Sequence, residues 1–196
     1  MSVDGLTAPQ VATGSGRDGR SGATIWLTGL PSAGKTTIAN ALAARLRARR
    51  IAVEVLDGDA VRPVLSTELG YTRNDRDLNV ARIGWVAELL ASNGVVAIAS
   101  VVSPYAQARD AVRSAHQQRG TRFLEIHVAT PVQVCEVRDV KGLYGKQRGG
   151  ALVGLTGVDA DYEPPLSPEL RLDTTERSVD DVVDELMALL EKETVL

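Results

Sequence analysis

The sequence contains little cysteine, few aromatic residues and little net charge, and each shortage excludes something. Cys135 is the single cysteine among 196 residues, so no internal disulfide can form, which suits a reducing cytosol and predicts a cytoplasmic protein. Aromatic residues make up 4%, which argues against a platform on which nucleic-acid bases stack. The formal net charge is −3, so we expect no general polyanion-binding surface and no nucleic-acid partner.

Long hydrophobic runs are also missing. No segment reaches the ~18 uninterrupted apolar residues of a membrane-spanning helix, so no membrane partner is predicted. The first 22 residues hold glycine, serine, arginine and aspartate, without an apolar stretch of signal-peptide length. We therefore expect residues 1–22 to be a flexible tail and residues 23–196 to form one domain.

A glycine-rich segment follows the first apolar run of the chain, residues 23–27. When a strand enters such a turn and a helix leaves it at Lys35, successive backbone N–H groups point at an anionic phosphate. The lysine can then reach the β- and γ-phosphates, and the hydroxyl of Thr36 can ligate Mg²⁺. The sequence therefore predicts a nucleoside triphosphate site. Its residues are Gly29, Leu30, Pro31, Ser32, Ala33, Gly34, Lys35, Thr36 and Thr37.

Strands and helices alternate along the rest of the chain. The predicted strands are residues 23–27, 51–56, 95–102, 123–128 and 170–172, and the predicted helices begin near residues 35, 76, 104, 131 and 179. The run 95–102 is almost continuously apolar, as in a parallel strand that is buried on both faces. The alternation predicts an α/β fold of the P-loop NTPase type. Its three layers would be a doubly wound, five-stranded parallel sheet with helices on both faces and ligands at the carboxyl ends of the strands.

Residues 139–157 differ from the segments around them. They hold six glycines with the cations Lys141, Lys146 and Arg148, and they show no stable apolar face, which is typical of a mobile lid. An ordinary solvated loop is the alternative. Beside a phosphate site, a lid of this kind would close on phosphates, exclude water and suppress hydrolysis of the triphosphate.

Two absences narrow the class of nucleotide-binding protein. No Asn-Lys-x-Asp guanine signature occurs, which weakens a GTPase assignment. The strand over residues 95–102 ends in no carboxylate, so the acidic Mg²⁺ partner usual in motor-type ATPases is missing there. Both observations favour a small-molecule kinase.

Charged residues follow the second predicted strand, where small kinases hold the phosphoryl acceptor. Asp57 and Asp59 flank a glycine, Arg62 comes about one helical turn later, and Arg76 and Asn79 share a helix face. Carboxylates can receive a hydroxyl proton and arginines can hold an anion, so we predict an acceptor site here. The alternatives are a capped turn for the two aspartates and surface ion pairs with neighbouring aspartates for Arg76.

Taken in order, the motifs resemble those of the adenylylsulfate kinase family, which makes 3′-phosphoadenylylsulfate during sulfate activation. The resemblance covers about residues 24–174. The segments that carry it are Gly-Leu-Pro-Ser-Ala-Gly-Lys-Thr-Thr at 29–37, Leu-Asp-Gly-Asp at 56–59, Leu-Gly-Tyr at 69–71, Ser-Pro-Tyr at 103–105, the run from Cys135 to Tyr144, Thr-Gly-Val-Asp at 156–159 and Tyr-Glu-Pro-Pro at 162–165.

The resemblance implies a role for each matching position. ATP would bind residues 29–37, with Cys135 and Arg138 near its adenine and Mg²⁺ on Thr36. Arg62 and Arg76 would hold the phosphosulfate of adenylylsulfate. The other residues implied in binding the acceptor are Asp59 near the 3′-hydroxyl, Tyr71 stacked on the adenine, Asn79, Val102, Ser103, Lys141, Gly154 and Leu155. The resemblance also suggests a homodimer.

Ser103 admits more than one role. The family's serine at this position has been regarded as a phosphorylated intermediate, whereas direct in-line transfer needs Ser103 only as a hydrogen-bonding contact. We favour direct transfer, because the loop, Mg²⁺ and the arginines already stabilise the transferred charge. A helix N-cap ahead of Pro104 is the structural alternative.

A few positions depart from the family pattern. Ala60 and Ala81 stand where an asparagine and a basic residue are usual, and Val101-Val102 replaces Phe-Ile. Leu155 stands where a phenylalanine usually forms half of an adenine sandwich, and losing that ring should cost about 0.5–1.5 kcal/mol. We therefore expect Leu155→Phe to tighten the binding of adenylylsulfate.

Several single residues have structural interpretations. Trp26 is predicted to lie in the core, and Trp85 either in the core or at a dimer contact. His116 and His127 are interpreted as structural, because no Cys/His spacing indicates zinc. Cys135 is interpreted as a packing residue or an adenine-side contact, not as a nucleophile.

The predicted function is transfer of the γ-phosphate of ATP to the 3′-hydroxyl of adenylylsulfate. Lys35 would hold phosphate, and Asp59, or Asp57 as the second candidate, would orient or deprotonate the hydroxyl. The alternative is a kinase of the same fold redirected to another hydroxylated nucleoside or natural-product metabolite, supported by Ala60 and Leu155. A regulatory module without catalysis is a third class, which the retained charged residues disfavour.

Overall fold

The computed structural model describes residues 22–196, and its centre is a parallel sheet of five strands in the order β2-β3-β1-β4-β5. The strands are β1 (Ala23–Thr28), β2 (Val53–Asp57), β3 (Val96–Ser100), β4 (Arg122–Val128) and β5 (Leu170–Leu172). Every paired strand is parallel, and β1 lies in the middle, between β3 and β4. The predicted five-stranded parallel sheet is therefore confirmed. Residues 1–21 of the predicted tail lie outside the described residues.

Helices cover both faces of the sheet. They are α1 (Lys35–Ala48), α2 (Gly58–Leu65), α3 (Arg73–Ser92), α4 (Ala106–Gln118), α5 (Val132–Arg138), α6 (Leu143–Arg148) and α7 (Val179–Lys192). No helix within residues 22–196 is both long and apolar enough to span a membrane.

Each face of the sheet has its own hydrophobic core. On one face, α1 and α7 bury aliphatic residues such as Leu42 and Leu186 against the strands. On the other face, α3 and α4 pack around Trp26, Ile83 and Val112. A fully buried side chain of this size contributes about 1.5–3 kcal/mol, so the two cores together fix both layers of helices on the sheet. The prediction that Trp26 lies in the core is confirmed.

The central strand β1 delivers the glycine-rich loop to the middle of the sheet edge. Gly29 has φ of +153°, and a Cβ atom there would lie 2.4 Å from the carbonyl oxygen of Val128. Gly34 has φ of +102° directly before α1 begins at Lys35. Side chains other than hydrogen are excluded or strained at both positions, so the two glycines set the path of the loop.

Two helices begin at places that the sequence pattern did not predict. α3 begins at Arg73, three residues before the predicted start, because Thr72 and Asp75 form a capping box. α4 begins at Ala106, whose N–H donates to the carboxylate of Glu163 at 2.7 Å. The prediction that Ser103 caps this helix is therefore wrong, since the cap comes from a distant segment.

The segment over residues 139–157 is more ordered than its composition indicates. It contains α6, whose first turn is held by Asp139 through the N–H groups of Tyr144 and Gly145. The side chains of Tyr144 and Leu155 are buried in the core beside α1, and the hydroxyl of Tyr144 donates to the carbonyl of Pro31 at 3.0 Å. The expectation that this segment lacks an apolar face is wrong, because these two residues anchor it.

Candidate active site

A cavity of about 440 Å³ lies at the carboxyl ends of β1, β2 and β3. The glycine-rich loop forms its floor, and α2, α3, the segment after β3 and the end of α5 form its walls. The predicted site residues that line it are Pro31, Ser32, Gly34, Lys35, Thr36, Thr37, Asp59, Arg62, Tyr71, Arg76, Asn79, Val102, Ser103, Arg138 and Lys141. Most of the predicted site is therefore one continuous surface.

Lys35 lies inside the loop from which its phosphate-binding role was predicted. Its Nζ atom donates to the carbonyl oxygens of Gly29 at 2.9 Å and Leu30 at 2.8 Å. Burial, helped by the nearby charge of Lys141, lowers the pKa of Lys35 to about 8. The ammonium thus sits where the phosphates of a nucleotide would arrive, with only neutral oxygens as hydrogen-bond acceptors.

Three oxygen-bearing side chains meet beside the start of α1. The hydroxyl of Thr36 donates to Oδ2 of Asp57 at 2.6 Å and lies 3.3 Å from the hydroxyl of Ser100. Ser100 was not predicted, although it pairs with Asp57 in the register of β2 and β3. Hydroxyl and carboxylate oxygens suit a small hard cation, so this cluster is chemically suited to Mg²⁺.

Asp57 also caps the N-terminus of α2. Its Oδ1 atom accepts hydrogen bonds from the N–H groups of Asp59 at 3.0 Å and Ala60 at 3.4 Å. The capped-turn interpretation of Asp57 is therefore confirmed, and it coexists with the contact to Thr36. Because both oxygens are occupied, Asp57 is held in one orientation.

Asp59 stands at the mouth of the cavity. Its side chain is exposed and forms an ion pair with Lys141, which lies just after α5. The pair connects the two walls of the cavity that the resemblance assigned to the acceptor. Asp59 has no capping contact of its own, so its carboxylate can change partner without disturbing a helix.

Arginines and an aromatic ring form the outer wall. The guanidinium of Arg62 lies 4.4 Å from the centre of the Tyr71 ring and donates to the carbonyl of Gly70. Arg76 donates to the carbonyls of Tyr71 at 2.9 Å and Gly154 at 2.7 Å. Surface ion pairs of Arg76 with Asp75 or Asp77 are not formed, so that alternative is wrong.

Asn79 and Ser103 are buried polar residues on the inner wall of the cavity. Asn79 is buried, and its Oδ1 atom has no hydrogen-bond partner among residues 22–196. A buried oxygen of this kind costs free energy unless something binds it, which is typical of a ligand contact. Ser103 accepts a hydrogen bond from the indole N–H of Trp26 at 3.0 Å and has a φ of +40°.

Some predicted ligand contacts lie elsewhere. The side chain of Leu155 is packed in the core and does not line the cavity, because Asp159 holds the N–H groups of Gly154 and Leu155 at 2.9 and 2.6 Å. The side chain of Cys135 is fully buried and burial raises its thiol pKa. The packing interpretation of Cys135 is confirmed, and its side chain offers no surface to adenine.

Arg138, Thr130 and Thr174 form a hydrogen-bonded network beneath the glycine-rich loop, called the brace here. Arg138 donates to the hydroxyl of Thr174 at 2.7 Å and to the Thr174 carbonyl at 2.9 Å. The hydroxyls of Thr174 and Thr130 both donate to the carbonyl of Ala33, at 3.1 and 3.0 Å. Neither threonine was predicted, and no local motif marks them. Together they fix the carboxyl ends of β4 and β5 to the glycine-rich loop.

Both histidines have structural surroundings. His116 bonds to the hydroxyl of Thr24 at 2.8 Å and the carbonyl of Val112 at 2.8 Å, and burial lowers its pKa. Burial also lowers the pKa of His127 to about 4, so this ring is neutral at pH 7. No cluster of three His, Cys, Asp or Glu side chains that could hold a metal occurs in the described part of the chain.

The fold and the cavity together define the class of protein to which the chain belongs. A glycine-rich loop between β1 and α1, a cluster of oxygen-bearing side chains beside it and a second charged wall facing it are the parts of a P-loop kinase for a small acceptor. Comparison with known proteins gives the family. A model of the family described as adenylylsulphate kinase matches residues 21–173, and the chain belongs to that family.

The relatives cover nearly the whole domain. An adenylyl-sulfate kinase from Synechococcus sp. (strain JA-3-3Ab) is 51% identical over 88% of this chain and 96% of its own. The solved structure of the Mycobacterium tuberculosis APS kinase CysC in complex with AMPPNP and APS superposes with a TM-score of 0.85. It is 40% identical and covers 88% of this chain and 99% of its own.

Proposed function

We infer that the protein is an ATP-dependent adenylylsulfate kinase. It transfers the γ-phosphate of ATP to the 3′-hydroxyl of adenosine 5′-phosphosulfate and releases ADP. The observation that carries this conclusion is the family membership over residues 21–173. In support, most residues that the resemblance assigns to the two substrates line one cavity. The M. tuberculosis relative was solved with an ATP analogue and APS together, which supports a cavity that takes both substrates.

On the donor side, we propose that residues 29–37 hold the phosphates of ATP. The backbone N–H groups of the loop and the first turn of α1 supply the anion site, and Lys35 exchanges its carbonyl acceptors for phosphate oxygens. Arg138 lies beside the loop on the wall that would face the adenine. The carbonyl of Ala33, held by Thr130 and Thr174, keeps this part of the loop in place.

Mg²⁺ is proposed on the cluster beside α1. Thr36 would contact the ion directly, with Asp57 and Ser100 around it, since their oxygens already lie within hydrogen-bond distance of the Thr36 hydroxyl. The ion would neutralise the negative charge of the phosphates during transfer. Asp57 also fixes the start of α2, so the same carboxylate relates the metal site to the acceptor wall.

On the acceptor side, we propose that Asp59, Arg62, Tyr71 and Asn79 contact adenylylsulfate. The free Oδ1 of Asn79 would accept a hydrogen bond from the substrate, and Tyr71 presents an exposed ring for the adenine. Arg62 and Lys141 supply positive charge toward the phosphosulfate. Arg76 contributes in a second way, because it ties the carbonyl of Gly154 to the start of α3.

Asp59 is the better candidate to receive the proton of the 3′-hydroxyl. Both oxygens of Asp57 are engaged with Thr36 and the α2 backbone, whereas the carboxylate of Asp59 pairs only with Lys141 among the described residues. An adenylylsulfate anion that binds Lys141 would release the Asp59 carboxylate toward the hydroxyl. Ser103 has no carboxylate or imidazole among its described partners, which supports direct transfer with Ser103 as a contact.

The test measures ADP release with and without adenylylsulfate. The wild-type protein should turn over only with adenylylsulfate, and Asp59→Asn should lower kcat by about 10²–10⁴-fold. The matched control is Asp110→Asn, an exposed aspartate on α4 away from the cavity, which should retain wild-type kcat. Turnover that requires a different acceptor would instead support the redirected kinase.

The positions of Leu155 and Ala60 weaken the support for a kinase redirected to another acceptor. Leu155 does not line the cavity, so the replacement of a ring at that position does not reshape the acceptor wall. Ala60 remains exposed beside Asp59, where an asparagine amide is usual in the family. One lost amide contact points to weaker acceptor binding, not to a new acceptor.

We propose that the segment over residues 139–157 closes over the phosphates as a lid hinged on its buried anchors. Tyr144 and Leu155 would stay in the core while Lys141 and Arg148 change partners. Lys141 already reaches across the cavity mouth to Asp59, which supports this assignment. Limited proteolysis with and without AMPPNP plus adenylylsulfate tests it, since ligands should protect this segment.

A homodimer in the cytoplasm is also proposed. Leu78, Trp85 and Leu89 form an exposed apolar stripe on α3, and Trp85 is 60% exposed. The core alternative for Trp85 is therefore wrong, and the dimer contact stays a prediction. Sedimentation velocity should show a dimer that Trp85→Glu dissociates. Arg122→Glu, outside this stripe, is the control. A wild-type monomer at micromolar concentration would contradict the dimer.

A further inference from the structure

Arg109 is a buried cation in an unfavourable position. It lies in the first turn of α4 and is 2% exposed, although the N-terminal end of a helix repels positive charge. Removing a guanidinium from water is costly unless its donors are satisfied. The contacts of Arg109 should therefore explain why a cation occupies this site.

The guanidinium donates in three directions. Nε donates to the carboxylate of Glu125 at 2.7 Å, which balances the charge. Nη1 donates to the carbonyl of Ser103 at 2.7 Å, and Nη2 donates to the carbonyl of Glu163 at 2.6 Å. An ion pair alone would need only Glu125. The carbonyl of Ser103 belongs to the segment that lines the cavity, so the planar fork of arginine connects the core to the active site.

Ser103 needs such support. Its φ of +40° lies in the left-handed region, which costs a residue other than glycine about 1–3 kcal/mol. Arg109 holds its carbonyl, while Trp26 donates to its Oγ atom at 3.0 Å. With the indole occupying one lone pair, the hydroxyl hydrogen of Ser103 is free to point into the cavity that this residue lines.

We propose that Arg109 is a positioning residue for phosphoryl transfer. It holds the strained backbone of Ser103 so that Trp26 can orient the Ser103 hydroxyl as a donor toward the reacting groups. The same guanidinium fixes Glu163, whose carboxylate caps α4 at Ala106. This role rests on the proposed kinase function, and it adds a second layer of residues behind the contacts already assigned.

The chain contains a matched control for this role. Arg113 belongs to the same ionic cluster, because it donates to Glu125 at 3.3 Å and to both oxygens of Glu169 at 2.6 and 2.8 Å. Neither Arg113 nor Glu169 lines the cavity or bonds to Ser103. Arg113→Lys therefore disturbs the cluster without disturbing the site, whereas Arg109→Lys disturbs both.

Kinetics separate the two variants at a temperature where circular dichroism shows both folded. Arg109→Lys should lower kcat about tenfold, because a shift of the reacting geometry slows the chemical step, with the KM for ATP nearly unchanged. Arg113→Lys should retain kcat within about twofold at a similar loss of Tm. In a Ser103→Gly background, Arg109→Lys should cost less kcat than it does alone, since glycine adopts positive φ freely. Equal kcat losses in the two lysine variants would refute the positioning role.

An NMR measurement gives a readout that does not depend on turnover. The chain has two tryptophans, so the indole N–H of Trp26 and that of the exposed Trp85 give separate signals. Arg109→Lys should shift the Trp26 signal and speed the exchange of its indole N–H with D₂O. Arg113→Lys should leave the Trp26 signal unchanged, and neither variant should affect the Trp85 signal. An unchanged Trp26 signal would overturn the proposal.

The kinetic and NMR measurements distinguish failure of the proposed kinase function from failure of the positioning role of Arg109. A wild-type protein that does not turn over adenylylsulfate would contradict the kinase function and leave the NMR result interpretable. If Arg109→Lys does not fold, Trp26→Phe tests the same path, because phenylalanine keeps the ring and removes the donor. It should lower kcat severalfold with the KM for ATP unchanged, and wild-type kcat in this variant would overturn the proposal.

Discussion

At the scale of single residues, several charged side chains of the proposed site already have partners within the protein, although the Oδ1 atom of Asn79 has none among residues 22–196. Lys35 donates to two carbonyls, Asp59 pairs with Lys141, and Arg76 holds the backbone of Gly154. A charge with a partner costs less than a bare charge in a partly enclosed cavity. Substrate binding therefore exchanges partners, and the gain lies in the difference between old and new contacts.

Lys35 should make ATP binding depend on pH. Its pKa is lowered to about 8 by burial, while phosphates favour the charged form and raise that pKa again. When ATP binds near pH 8, Lys35 should therefore take up a proton, and ATP should bind more weakly as the pH rises through 8. Isothermal titration calorimetry in two buffers of different ionisation enthalpy measures this uptake.

The lowered pKa of Lys35 also makes the free energy of unfolding depend on pH. Below about pH 8 the buried ammonium of Lys35 costs the folded state its full penalty, and that penalty disappears as the pH rises from 8 to 10.5, where only the unfolded state still holds the proton. Lys35→Arg, which stays charged, should remove both the proton uptake and this rise. ATP affinity that is constant between pH 7 and 9 would contradict the prediction.

Leu155→Phe should destabilise the protein and leave the acceptor affinity unimproved. Leu155 is in the core, and adding volume to a well-packed site costs about 1–3 kcal/mol. Urea unfolding measures the loss, and Leu155→Met, which conserves volume, is the control. If Leu155→Phe tightened adenylylsulfate binding without a loss of stability, the expectation from the family pattern would be restored.

At the scale of elements, one specific contact in each helical layer can be identified. In α3, a Cβ atom on Gly84 would lie 2.5 Å from Cγ2 of Val112 in α4, so only glycine fits at this crossing. On the other face, α6 is held to the glycine-rich loop by the hydroxyl of Tyr144. The first contact sets how closely α3 and α4 approach each other, and the second ties α6 to the glycine-rich loop.

Gly84→Ala tests the α3–α4 contact. Alanine favours a helix by about 1 kcal/mol over glycine, but the clash with Val112 should outweigh this and give a net destabilisation of about 1–3 kcal/mol. Val112→Ala should cost less in the Gly84→Ala background than alone, because it relieves the clash. Urea unfolding of the four proteins gives the cycle, and strictly additive changes would refute the contact.

The sequence predicted the parts of this structure that local patterns encode. The strands, the glycine-rich loop and Asp57 follow from apolar runs and short motifs. Ser100 and Thr174 were missed because their roles arise from strand register and from the packing of distant strand ends. The start of α4 was misplaced because its cap, Glu163, is 57 residues away in the chain. Leu155 was misplaced because a family motif transfers a position and not the packing around it.

At the scale of the whole molecule, ligand binding should be visible as stability. AMPPNP at 100 times its dissociation constant should stabilise the folded state by about 2.7 kcal/mol, which raises the Tm by about 5–10 °C in a chain of this size. Differential scanning fluorimetry measures the shift. Lys35→Ala should reduce it strongly, while Lys192→Ala at the end of α7 should not. A shift that survives Lys35→Ala would place the nucleotide elsewhere.

The strand order has a consequence for how such an enzyme diverges. Because β1 is central, the proposed acceptor wall belongs to the β2–β3 half of the sheet and the brace under the glycine-rich loop belongs to the β4–β5 half. Of the departures from the family pattern, Ala60, Ala81 and Val101-Val102 fall in the first half, while Leu155 falls between β4 and β5 and packs in the core; residues 29–37 match the pattern. Substitutions can therefore accumulate in the wall proposed to bind the phosphoryl acceptor while the glycine-rich loop proposed to bind ATP stays unchanged.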